Sequence, residues 1–224
     1  MAKKKEENGF IKHIKTEIPN DMEYSVNFRN EKDKVKFIKR TERIIRASLE
    51  YRDYISFLKE HVNMNRCAFF QNVCSSEGKN IRIEIHHEPF TLYDYVEVVV
   101  NKFLDEGRDL NDLLISDEVM KLHYDNLVGL IPLSKTIHQM VHNSTKVTIP
   151  LNMVYGNYAE FLKSEEYGPY TDALLDKLEE KIEKTKNLSE KDFENLKKQF
   201  TYLDIKDAEP VEKQEVKSKT IEAA

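Results

Sequence analysis

The sequence predicts an α+β, mainly helical protein, and three observations carry that expectation. Apolar residues recur at three- and four-residue steps over long segments, whereas strand-like alternation is confined to short ones. A chain of 224 residues with 40% hydrophobic and 33% charged residues holds only 6 Gly and 6 Pro, the composition of a helix-rich globular protein. The length suits one globular unit with appendages. No apolar run approaches the roughly 20 residues of a membrane span. The opening MAKKKEENGF is basic and lacks the apolar stretch of a secretory signal, so a cytoplasmic location without a membrane partner is expected.

The elements follow in chain order. Residues 1–20 are polar and aperiodic and read as a disordered basic tail. Residues 21–66 form an N-terminal helical region, in which Ile44, Ala47, Tyr51, Tyr54, Leu58 and Val62 make one stripe and predict one helix from Asn30 to about Val62. Lys36, Lys39, Arg40, Arg43 and Arg46 share another face, which reads as a solvated strip relieved by Glu42 and Glu50 in preference to a phosphate-binding one. CAFFQNV (67–73) and IRIEI (81–85), joined by SSEGKN (75–80), read as a hairpin.

Thr91 and Asp94 have capping-box spacing, and Leu92, Tyr95, Val96, Val99 and Phe103 continue a helix that stops at Gly107. Ser116 before Asp117 and Glu118 reads as the start of another helix, carrying Val119 to about Tyr124. LVGLIPL (127–133) reads as an edge strand, with Ser134 capping a helix through about Asn143. C-terminal helices occupy residues 151–205, at about 170–186 and 189–202, after a Tyr155-Gly156-Asn157-Tyr158 turn with aromatic packing. Residues 206–224 read as a second disordered tail.

Charge and cysteines limit the function classes. Net charge is -5, distributed as +6 over residues 1–82, -6 over 83–150 and -5 over 151–224, so a protein that coats nucleic acid by charge alone is excluded. Cys67 and Cys74 cannot make a disulfide framework and read as buried or spectator thiols in a reducing compartment. No H-E-x-x-H, phosphate-binding G-x-x-x-x-G-K-[ST], G-x-G-x-x-G or paired C-x-x-C pattern occurs.

Histidine is the exception. Five of the seven, His86, His87, His123, His138 and His142, lie between residues 86 and 142. His138 and His142 are four apart on a predicted helix, so both imidazoles project from one face and can hold one ion. His86 and His87 end a predicted strand, where neighbouring side chains point to opposite sides, so one can join the ion while the other stays available for proton transfer. Hydrolysis of a phosphodiester needs such a base beside a cation.

The order His86-His87, then Asn126-Leu127-Val128, then Pro132-Leu133 leading into His138-x-x-x-His142 resembles the HNH endonucleases. The resemblance covers about a quarter of the chain and implies a ββα-metal core within residues 67–150, its strands at 81–87 and about 127–132 and its helix at 134–143. It further implies His86, His138 and His142 as metal ligands, His87 as general base and double-stranded DNA as substrate. EIHHEPFTLYDY and LHYDNLVGLIPLSKTIHQMVH are similar to HNH-like proteins of large tailed phages, which implies a viral origin and the host cytoplasm.

In the usual spacing an Asn that orients the base stands nine residues before the first helix His, and Gly129 occupies that place here. Asn126 is the candidate for the role, with Asp125 and His123 as alternatives; the Asp125 carboxylate suits it better of these two, since it can accept the other N–H of an imidazole and set its tautomer, and His123 reads more simply as a hydrogen-bonded helix residue. Imidazole ligands suit Zn or Ni better than Mg, although the family also uses Mg and Mn, so the divalent ion is left open. The alternative to an endonuclease is an HNH-like module that binds nucleic acid or a protein partner and keeps the metal as a staple.

Overall fold

The computed structural model describes residues 28–70, 72–75, 81–143 and 147–186. The two expected tails, at 1–20 and 206–224, and the expected helix at 189–202 lie outside the described residues. The protein is mainly helical with one small antiparallel sheet, in line with the α+β class.

Two helices, α1 (Glu31–Ala47) and α2 (Leu49–His61), replace the single helix expected over 30–62. Ser48 breaks the run: its extended backbone (ψ 152°) lets its hydroxyl accept from Tyr51 N–H and start a second helix. The stripe changes accordingly, since α1 buries Phe37, Ile38, Thr41 and Ile45, while Ala47 is exposed. The basic strip is exposed, and three of its members are paired: Lys36 with Asp33, Arg46 with Glu42, and Arg40 with Asp112 of a distant helix.

The hairpin expected from 67–73 and 81–85 does not form. The first segment curls into a loop, in which Cys67 N–H donates to Val73 O and Val73 N–H to Phe70 O, closed by the Arg66–Cys74 bridge. Strand β1 (Ile83–His87) pairs instead with β2 (Leu130–Ser134), His86 opposite Ile131 and His87 opposite Leu130. Both cysteines are buried, and neither is in a disulfide.

Between the two strands run α3 (Leu92–Asp105) and α4 (Asp112–Tyr124). The Thr91–Asp94 capping box is present, and Gly107, at φ +63°, ends the first of these helices. The run Val98–Val100 stays helical because all three valines are buried, so packing overrides the β-branched preference. Helix α4 starts four residues before the expected Ser116: Asn111 is the cap, accepting from Leu113 N–H, and the Ser116 hydroxyl bonds back to Asp112 O inside the helix.

Helix α5 (Lys135–Asn143) follows β2 directly, with Ser134 Oγ accepting from Ile137 N–H. The short α6 (Tyr158–Lys163) and the longer α7 (Asp172–Lys186) close the described chain. The larger core runs from Phe37 to Leu174 and joins the helices to one face of the sheet; a smaller one gathers Ile131, Leu133 and Ile137 between β2 and α5. No helix among the described residues is long and apolar enough to cross a membrane.

Candidate metal centre

Strand alternation sends Glu84 and His86 to the face that α5 covers, and Ile85 and His87 to the face packed on the larger core. On the α5 side, His86, His138 and His142 come together. Their ligand atoms lie within 4.8 Å of one another, and the His138 and His142 Nε2 atoms are 3.2 Å apart. Tetrahedral ligands about 2.0–2.1 Å from a zinc ion sit about 3.4 Å apart, so the three imidazoles fit one ion with little movement.

Carboxylates support the trio. His138 Nδ1 donates to Glu84 Oε2 at 2.7 Å, which fixes the tautomer and turns Nε2 toward the shared point. His86 Nε2 lies 3.4 Å from Glu88 Oε2, and Glu88 in turn is bound by Lys181 of α7. Burial pushes the Glu88 carboxyl up, but His86 and Lys181 outweigh it and hold it below the usual carboxylate range. Burial and then the neighbouring imidazoles hold His138 below the ordinary histidine range, against the opposing pull of Glu84; burial and then His86 do the same for His142. Neutral imidazoles are the form that binds metal.

His87 faces the other way. It is 4% exposed, stacked on Tyr51 at 6.3 Å, and its Nε2 lies 3.0 Å from His123 Nε2. His123 Nδ1 is 2.8 Å from the Val119 carbonyl, which can only accept, so Nδ1 carries the His123 proton. Burial drives the His123 pKa down to about 4, so its Nε2 is a bare acceptor near neutral pH and His87 Nε2–H must donate to it. That leaves His87 Nδ1 without a proton, while burial and then His123 hold this ring well below the ordinary range.

Asn126 is not one of the metal-ligand trio and meets the His87–His123 pair through its backbone. At φ +58° it takes the left-handed position after α4, with its N–H on His123 O, and its side chain lines a cavity with Tyr54, His123 and Tyr155. Asp125 caps the same helix and is exposed. Gly129 is there for space: a Cβ would stand 1.9 Å from the Glu88 carbonyl oxygen. An Asn cannot occupy that position without moving the backbone. Glu84 was open to sequence reasoning, because it precedes His86 by two residues on a strand and must share its face. Glu88 has the same spacing but lies past the end of the strand, where alternation no longer fixes its side, and Lys181 carries no local signal.

No curated protein and no solved structure matches the chain. A family model described as bacteriophage G278-like virion protein matches residues 1–219. Nearly the whole sequence is covered, and the chain therefore belongs to the bacteriophage G278-like virion protein family.

Proposed function

We propose that this phage protein is a divalent-metal-dependent endonuclease of the HNH type that hydrolyses phosphodiester bonds of double-stranded DNA on a ββα unit made of β1, β2 and α5. The observation that supports it is the convergence of His86, His138 and His142. Three neutral ligands suit a working site, because structural zinc sites are closed by four protein groups and catalytic ones keep a position open. These residues would hold the ion, which when bound supplies positive charge against the phosphate and the departing oxygen. His87 Nδ1, kept free of a proton by the bond that Nε2 gives to His123, accepts a proton from the attacking water. His123 orients that ring, the role the HNH resemblance assigns to an Asn, and Asn126 shapes the loop behind it. Two buried cysteines outside any disulfide suit a reducing host cytoplasm.

The burial of His87, on the sheet face opposite the metal ligands, favours a second reading. In it the same three histidines hold a stapling ion and the module binds nucleic acid or another protein without cutting. Supercoiled plasmid incubated with Mg, Mn, Ni and Zn in turn, with an EDTA control, separates the two. The endonuclease nicks with at least one ion and not with EDTA; its His87→Ala variant keeps the ion and loses nicking, and His142→Ala loses both. Stoichiometric metal with no cleavage under any ion leaves the second reading, and no bound metal at all refutes both.

A further inference from the structure

A cavity of about 430 Å³ opens between α2 and the turn after α4, within the size range of small-ligand sites. Its walls are aromatic: Tyr54 and Phe57 from α2, Tyr124 from the end of α4, and Tyr155. Among the described residues, Phe57, Tyr124 and Tyr155 are also the three aromatic side chains of the large hydrophobic residues left exposed, at 51%, 56% and 39%. Exposed aromatic rings gathered on one concavity are unlike the scattered apolar residues of an ordinary surface.

The rings are held in place. Tyr54 and Tyr124 stand 5.8 Å apart at 84°, giving two walls at right angles. The Tyr54 hydroxyl donates to His123 O and the Tyr124 hydroxyl to Glu50, so both polar ends already have partners. Asp53 also lines the cavity and has no hydrogen-bond or ion-pair partner among the described residues. The negative faces of several rings, with Asp53 in the wall and Glu50 beside it, make an environment that attracts a cation. A nucleotide could stack on these rings, but its phosphate would meet Asp53 and Glu50. A purely apolar ligand would cover Asp53 without pairing it.

We propose that this cavity is a recognition site for an alkylammonium group, the side chain of a lysine on a partner protein, held by cation–π contacts to Tyr54, Phe57, Tyr124 and Tyr155 and by the Asp53 carboxylate. None of the three metal ligands lines the cavity, whereas His123, the hydrogen-bond partner of His87, stands in its wall.

The full chain is titrated with Nα-acetyl-lysine amide and, separately, with its uncharged analogue Nα-acetyl-norleucine amide, while the aromatic ring resonances are followed by NMR. Saturable shifts of Tyr54, Phe57, Tyr124 and Tyr155 are expected with the lysine compound and not with norleucine. Tyr124→Leu weakens binding about two- to fivefold, the size of an exposed cation–π contact, and Asp53→Asn weakens it further, while His142→Ala leaves it unchanged. Asp53 and Tyr124 are both exposed, so their variants keep the fold. Equal binding of norleucine amide, unaltered affinity in both cavity variants, no saturation with the lysine compound, or tighter binding of thymidine monophosphate at the same rings each overturns the proposal.

Discussion

Gly129 shows how one residue decides which family pattern a loop can carry. Its N–H donates to the Tyr95 hydroxyl and its carbonyl accepts from Glu88 N–H, so the chain passes too close to Glu88 for any Cβ. Gly129→Asn, which restores the usual HNH residue, is expected to destabilise the protein by about 1–3 kcal/mol, the range for overpacking. Urea denaturation checks this, and an unchanged midpoint would mean that the Glu88 carbonyl yields. Asn126 is the complementary case. Its positive φ suits Asn or Gly, so Asn126→Gly should be nearly neutral in stability and in any cleavage activity. A large loss of activity at unchanged stability would instead give its amide an orienting role.

At the level of elements, caps and breaks matter more than apolar periodicity. The stripe expected to run through Ser48 is interrupted because Ser48 both ends α1, donating to Ile45 O, and caps α2. Ser48→Ala is expected to cost about 1 kcal/mol, and chemical denaturation measures it. A stabilised variant would indicate that one continuous helix competes with the two observed. Helix α5 was readable in advance because Ser134, the apolar Ile137 and the His138–His142 spacing are all local. The partner of β1 was not readable from periodicity, since CAFFQNV looks as strand-like as LVGLIPL and the choice rests on contacts about fifty residues away; only the HNH resemblance put a strand at about 127–132 in the same unit.

For the molecule as a whole, buried ionisable groups set the pH dependence of stability. Burial lowers the pKa of His123 from about 6.5 in the unfolded chain to about 4. The unfolded state therefore takes up the proton first, so stability is fully present above 6.5 and falls as pH drops toward 4. Glu118, buried beside Lys102 and Tyr167, resists its desolvation through these partners and is held down to about 2, so its contribution is present above about 4.5 and fades toward 2. Urea midpoints should decline between pH 7 and 5, before most carboxylates titrate. A flat profile there would contradict the neutral, buried state of His123. At pH 7 a hundredfold excess of Zn over its Kd should stabilise the fold by about 2.7 kcal/mol, and His142→Ala should abolish the effect in thermal melts.

Read as a string, the chain already contained its helical class, the Thr91–Asp94 cap, the stop at Gly107 and the pairing of His138 with His142, since each depends on residues within one or two helical turns. The parting of His86 and His87 to opposite sides followed from strand alternation, whereas folding decided which face of the sheet each of them meets, that Lys181 reaches Glu88, and that His123 becomes the partner of His87. Those outcomes depend on burial and contacts between segments far apart in the chain, where no local period or cap leaves a mark.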